Sequence, residues 1–318
     1  MDGEFELIAA LSRLLPHGPK AGEIGIGDDC AAIPGPGGTW LLTCDSAVEG
    51  RHFKLRRTPF ADIGWRVAMA NVSDVCACGG LPEVALVSLG VPDHVTQANL
   101  EELYRGLGQA SEAAGFRVLG GNVSGASELV VDVFMLGITQ RFVPRGGLQP
   151  GHLLGVSNAL GGAAAGLALV LGGENPSDDL AEALRQKHLR PRARTDLAPL
   201  VAECASACID ISDGLGSELG HMAAASGMRL NVEGARVPIH AGVDAVARKL
   251  GQGPLRMALH SGEEYALLVG FAPTHRARME AAGLHIIGEA VAGTGGAGER
   301  VWLDGAPLPP AGWDHLRR

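Results

Sequence analysis

The sequence predicts a two-domain chain of α/β (α+β) class. Three observations carry that reading. Strand-like apolar runs alternate with helix-period patterns along the whole chain. The length of 318 residues is long for one domain and comfortable for two. "RFVPRGGLQPGH" at Arg141–His152 is rich in Pro and Gly and follows a long strand-like run. It divides the chain into residues 1–140 and 141–318.

In chain order, Phe5–Leu15 opens as an amphipathic helix. "TWLLTCD" reads as a strand, preceded by a tight connection at "PGPGG" (Pro34–Gly38). A helix is expected over Ile63–Cys78, a strand over "EVALVSLGV", a helix over Gln97–Ala114 and a strand over "ELVVDVFMLGIT". Beyond the junction, strands are expected at "HLLGVSN", "ACIDIS", "EEYALLVGF" and "LHIIGEAV". Helices are expected at Leu180–Leu189, Leu197–Ala205, Ser217–Ala225 and Arg276–Ala282. "GTGGAG" at Gly293–Gly298 matches a dinucleotide fingerprint by letter, but "ERVWLDG" after it reads as a strand rather than a helix. With no helix N-terminus to hold a pyrophosphate, the stretch is expected to be a hairpin loop. A GxxxxGK[ST] phosphate loop does not occur in the chain.

Composition narrows the function. Apolar residues make up 46% and charged residues 19%, ordinary for a protein with a core, and the net charge of -9 argues against unspecific nucleic-acid binding. "GGAAAGLALVLGG" (Gly161–Gly173) is too short and glycine-rich to span a bilayer. With nothing resembling a targeting signal, no membrane partner and a cytoplasmic location are expected. The six cysteines fit no zinc spacing and are expected to be small buried thiols in a reducing compartment.

The chemistry lies in the aspartates. Asp28 and Asp29 follow "GIG", Asp45 ends "TWLLTCD", Asp74 lies one helical turn beyond Asn71, and Asp210 and Asp213 frame "DISDG" at a strand-to-helix turn. Each alone has an ordinary explanation as a turn, cap or solvated residue. Six carboxylates at strand ends and helix starts, however, would repel one another if clustered. Divalent cations relieve such repulsion, and an all-oxygen donor set without histidines suits magnesium. Magnesium in an acidic protein points to phosphoryl chemistry on a nucleotide, here without a phosphate loop.

"GEFELIAAL", "GIGDDCAAI", "DSAVEGRHF", "ANVSDVCACGGLP", "DISDGLGSELGHMA" and "SGEEYALLVG" occur in the order and spacing of thiamine-monophosphate kinases, which the chain resembles from Gly3 to the terminal "GWDHL". The resemblance implies the two-domain aminoimidazole-ribonucleotide-synthetase-like fold: an N-terminal α/β domain that binds ATP and magnesium and forms a homodimer, and a C-terminal α/β domain that completes the site. It implies direct in-line transfer of the ATP γ-phosphate to thiamine monophosphate, assisted by several magnesium ions, with potassium as a further cation and no residue acting as covalent or acid–base catalyst. Asp29, Thr43, Cys44, Asp45, Asp74, Asn122, Asp210 and Asp213 correspond to metal-binding positions, Thr43 and Cys44 partly through backbone. Gly121, Asn122, Arg145 and Ser212 correspond to nucleotide positions, and His52, Glu263 and Trp313 to substrate positions.

The chain departs from the pattern in three places. Asn122 in "GGNVSG" replaces an acid, Glu264 and Ala266 alter the "GGEDYEL" motif, and "GGAAAGL" lacks an acid. The alternatives are another ATP-using enzyme of the same superfamily, or a non-catalytic homologue that binds nucleotide or thiamine phosphate. A reactive cysteine of the selenophosphate-synthetase type and a terminal cysteine of the hydrogenase-maturation type are both missing from the sequence.

Overall fold

The computed structural model describes residues 3–173, 178–293, 299–309 and 312. Its first part runs α1 (Glu4–Ser12), β1 (Ala31–Gly35), β2 (Gly38–Val48), α2 (Phe60–Ala77), β3 (Leu81–Val91), α3 (Gln97–Ala114), β4 (Arg117–Gly125) and β5 (Val130–Thr139). The strands form one sheet in the order β1-β2-β5-β3-β4, antiparallel except for the parallel β3–β4 pair. In β5, Val131, Val133 and Met135 are fully buried while the residues between them are half-buried, the period of two that gives a sheet one covered face. Helix α2 lies under that face and is buried along almost its whole length. It crosses α3 so closely that a Cβ on Gly64 would stand 2.1 Å from the Leu103 carbonyl oxygen, and one on Gly106 would stand 1.7 Å from that of Ala61. Reciprocal bonds between Thr96 and Asn99 cap the start of α3.

The second part runs β6 (Leu153–Val156), α4 (Gly162–Gly172), α5 (Asp179–Leu189), α6 (Ala198–Cys204), β7 (Ala205–Asp210), α7 (Leu215–Ser226), β8 (Arg229–Val232), α8 (Val243–Lys249), α9 (Pro254–His260), β9 (Leu267–Phe271), α10 (Arg276–Ala281), β10 (His285–Val291), β11 (Val301–Leu303) and β12 (Ala306–Pro307). Its sheet has the order β12-β11-β8-β10-β6-β9-β7. Leu154, Val156, Leu268 and Ile287 pack with Leu219 and Met222 of α7 into its core. Ala77, Val143, Leu197, Cys208 and Phe271 form a further apolar cluster where the two parts meet. Trp65 Nε1 donates a 2.6 Å bond to the Pro191 carbonyl, and Arg190 pairs with Asp62 at 2.5 Å, so the α5–α6 connection is fastened to α2.

Two elements carry no clear signal in the sequence, and one expectation needs correction. "GGAAAGLALVLGG" holds a helix, α4, and "RVLGGNVSG" is strand β4; both carry too many glycines to announce themselves by periodicity. The connection after β10 is not a hairpin, because β8 stands between β10 and β11 and pairs in parallel with β11. Beyond Gly293, "GTGGAG" lies outside the described residues.

Candidate active site

Four segments bring carboxylates to the seam between the two sheets. The "GIGDDCA" loop is held by the β5–β6 connection: Asp28 accepts the Arg145 backbone N–H at 3.1–3.2 Å and the Asp29 N–H at 3.0 Å. Asp29 forms an ion pair with the Arg145 guanidinium, and its second oxygen, Oδ2, is buried without a hydrogen-bond partner among the described residues. On β2, Thr43 Oγ1 donates to Asp74 Oδ2 at 2.6 Å, and the Asp45 N–H donates to Asn71 Oδ1 at 3.2 Å. Asn71 and Asp74 thus share the face of α2 that looks at β2, as their spacing predicts. At the end of β7, Asp210 is buried and accepts a 2.6 Å bond from Ser73 Oγ.

The turn after β7 is shaped by a residue that motif reading missed. Glu218, 1% exposed in the first turn of α7, accepts the N–H groups of Ser212 and Asp213 at 3.1 and 2.8 Å. Its other oxygen has no hydrogen-bond partner among the described residues. An acid in a helix's first turn, a few residues after a strand end, is the signal that would have found it.

Electrostatics match the crowding. Burial, then neighbouring carboxylates, pushes Asp74 and Asp210 well above the usual range. Burial also raises Asp29, with Arg145 offsetting part of the effect. Burial raises Glu218 as well. These groups resist ionisation together, and a cation would relieve all of them.

Two cavities meet here. One, of about 470 Å³, is lined by Asp29, Asp45, Asp74, Arg145, Asp210 and Asp213. The other, of about 490 Å³, is lined by His52, Phe53, Arg66, His188, Glu263 and Tyr265. Asp45, Ser212 and Asp213 belong to the walls of both, so the cavities are neighbours across the strand ends. His52 is set by its Nδ1, which accepts the Val48 N–H at 3.0 Å. Glu263 adopts a left-handed backbone, φ 61°, with its N–H on the Ser212 carbonyl at 2.7 Å. Arg66 and His188 were not anticipated; their partners lie 197 and 75 positions away in sequence, beyond any local pattern.

Several expected residues stand apart. Cys44 is exposed, the exception to the expectation of buried thiols, and alternation along β2 turns its side chain away from Thr43 and Asp45. Its backbone remains at the cavity wall. Gly121 and Asn122 lie on the exposed edge strand β4. Pairing aligns Asn122 with Ser88, Asp132 and Ser46 in turn, three strands away from β2, so one chain does not bring it to the carboxylates. Trp313 lies outside the described residues.

Residues 27–139 match the family model for the AIR synthase related protein N-terminal domain, and residues 149–300 match that for the C-terminal domain. The chain is 36% identical over 314 residues to the thiamine-monophosphate kinase of Aquifex aeolicus (strain VF5), covering 99% of this chain and 98% of that one. It is 33% identical over 271 residues to the thiamine-monophosphate kinase of Bacillus subtilis (strain 168), covering 83% and 82%. Among solved structures, AaThiL complexed with AMPPCP and TMP superimposes with a TM-score of 0.91 at 35% identity, covering 99% of this chain and 97% of that one. A chain matched so fully in both domains belongs to the thiamine-monophosphate kinase family of AIR synthase related proteins.

Proposed function

We propose that this kinase transfers the γ-phosphate of ATP to thiamine monophosphate by direct in-line displacement, with magnesium ions held at the carboxylate cluster. The observation that carries this reading is the pair of cavities sharing Asp45, Ser212 and Asp213: one acidic with an arginine, the other combining apolar and aromatic side chains with Arg66, His188 and Glu263. A nucleotide phosphate tail in the first and an organic acceptor in the second would meet at the shared wall. The structural relative was solved with AMPPCP and TMP together, as this arrangement requires.

The residues fit magnesium. The donors are carboxylates and a hydroxyl, Asp29 Oδ2 is buried without a partner, and burial and mutual repulsion favour a hard cation at Asp74 and Asp210. In this reading Asp29, Asp45, Asp74, Asp210 and Asp213 hold the ions, with Thr43 and the Cys44 backbone beside them. When bound, magnesium supplies neutralisation of the charge on the phosphates. Arg145 and Ser212 orient the nucleotide, and His52, Glu263 and Trp313 the acceptor. No side chain is assigned a covalent or acid–base step.

The reading includes a homodimer and a domain division at residues 140/141. The β4 edge supports the dimer: Leu119 and Val123 are 61% and 67% exposed on an edge strand paired only with β3, which a second copy would cover. That copy is also what would bring Gly121 and Asn122 to a nucleotide. The reading places the enzyme in the cytoplasm, where its six unpaired thiols stay reduced. A coupled ADP-release assay with thiamine monophosphate, magnesium and potassium tests it. Turnover dependent on both thiamine monophosphate and magnesium is expected, and ADP release indifferent to thiamine monophosphate would overturn it.

A further inference from the structure

The wall of the second cavity contains a charged trio assembled from three distant segments. Arg66 of α2, 8% exposed at its side chain, forms an ion pair with Glu263 Oε1. His188 at the end of α5, 3% exposed, puts Nδ1 3.3 Å from Glu263 Oε2, within ion-pair range but not aligned for a hydrogen bond. Arg66 Nη1 reaches His188 Nε2 at 3.5 Å and the His52 carbonyl at 3.4 Å. Two nitrogens, Arg66 Nε and His188 Nδ1, are buried without an aligned hydrogen-bond partner among the described residues. Buried N–H groups are rarely left without an acceptor unless a ligand or water supplies one.

The trio is a poor choice for stability alone. A buried ion pair often gains no more than an apolar replacement of the same volume. The main chain is also strained to present it: Glu263 is left-handed, and a Cβ on the preceding Gly262 would stand 2.3 Å from the Ser212 carbonyl oxygen. Such strain is characteristic of a side chain held for a ligand. Burial raises the Glu263 carboxyl, yet Arg66, His188 and His52 outweigh it, and the group stays ionised. Burial lowers the His188 imidazole below its ordinary value, with Glu263 opposing and the Arg66 charge adding to the effect. With its proton on Nδ1, Nε2 is left to accept from Arg66. The wall then offers a carboxylate acceptor beside an imidazole N–H that lies 3.3 Å from Glu263 Oε2 without an aligned hydrogen bond among the described residues.

An aminopyrimidine offers the complement of that pair: an exocyclic N–H donor beside a ring-nitrogen acceptor. Resting on the kinase reading above, we infer that Arg66 and His188 are positioning residues that fix the Glu263 carboxyl group to accept a hydrogen bond from the amino group of the substrate's pyrimidine, with the His188 N–H facing the adjacent ring nitrogen. Phe53, Ile63, Ala163, Ala164 and Leu167 around the trio suit the faces of a flat heterocycle.

The experiment compares thiamine monophosphate with its 4′-oxo analogue, in which the amino group is replaced by oxygen. Wild type is expected to prefer the amino substrate in kcat/KM by about 100-fold or more, because the oxo group sets an acceptor against the carboxylate. In Glu263→Gln, whose amide can donate, that preference should collapse by at least about tenfold. In His188→Gln, KM for thiamine monophosphate should rise about tenfold while kcat and the KM for ATP stay within about twofold. Arg66→Gln should behave as His188→Gln if it folds; the two milder variants decide the matter if it does not. Equal use of both analogues by wild type, or unaltered discrimination in Glu263→Gln, overturns this inference and leaves the kinase reading standing. Failure of wild type to bind thiamine monophosphate by calorimetry overturns both.

Discussion

Ser73 Oγ lies 2.6 Å from Asp210 Oδ2, both buried, and this bond ties α2 under the first sheet to the last residue of β7 in the second. It sits at the floor of the carboxylate cluster, so the fold and the site are fastened at the same point. The α2 helix therefore contributes on two sides: Asn71 and Asp74 to Asp45 and Thr43 of β2, and Ser73 to the other sheet.

Ser73→Ala removes the donor and leaves the buried Asp210 oxygen unsatisfied. The expected loss of stability is about 1–3 kcal/mol, the cost of a buried polar group without its partner. Urea denaturation of the metal-free protein measures it. A loss that magnesium largely restores would show that the unsatisfied oxygen is available to an ion. An unchanged midpoint would mean that the bond contributes nothing net.

Asp74→Asn takes one charge from the crowded cluster while keeping an oxygen for Thr43. Asp74 is raised first by burial and then by Asp45, Asp210 and Asp29, so its ionisation destabilises the folded state as pH rises above the ordinary carboxylate range. At neutral pH without metal, the variant should melt about 2–4 °C higher, the shift that roughly 1 kcal/mol produces in domains of this size. The advantage should fade as pH falls toward 4. The variant should also lose most of the stabilisation that magnesium gives wild type, together with turnover. Wild-type magnesium stabilisation in the variant would remove Asp74 from the metal set.

Much of this site was legible in the sequence because its acids stand in short motifs; Asp210 does end β7, whereas Asp45 lies inside β2 and Asp74 near the end of α2 rather than at a strand end or helix start. The α2 register followed from Asn71 and Asp74 alone. The elements that escaped did so for physical reasons. Helix α4 is rich in glycine and alanine and strand β4 carries three glycines, and these small side chains leave little periodic signal. Glu218 acts on backbone N–H groups, which no side-chain motif encodes. Arg66, His188 and Glu263 meet only after three segments pack together. Asn122 read as a site residue, yet within one chain it lies on an exposed edge, so its role depends on what covers β4.

Arg145 serves the metal-free protein as an internal counter-ion, since its guanidinium engages Asp29 and its backbone N–H engages Asp28. A cation entering at Asp29 must compete with it. Arg145→Gln should therefore bind magnesium several-fold more tightly in the absence of nucleotide, and AMPPCP more weakly, because an arginine suits a phosphate. Calorimetric titration with magnesium alone, then with AMPPCP at saturating magnesium, separates the two effects. Weaker magnesium binding by the variant would show that Arg145 organises Asp29 for metal rather than competing for it.

Glu264 offers a pH test away from the metal set. Its carboxylate, buried beside Ser261, accepts the Ala163 N–H at 3.1 Å in the first turn of α4. Burial, against the opposing effect of these backbone bonds, raises it from 4.5 to about 7. Between those values the folded chain keeps a proton that the unfolded chain has released. Stability from this group is therefore full below about pH 4.5 and is lost as pH rises through about 7. Glu264→Gln cannot titrate, so the wild-type stability relative to the variant should fall by about 2–3 kcal/mol between pH 5 and pH 8, the equivalent of roughly two pKa units. All other groups titrate in both proteins, and the difference between their denaturation midpoints isolates this one. A difference that stays flat across that range would mean that the carboxyl is ionised throughout, held by the α4 N-terminus more strongly than burial opposes it.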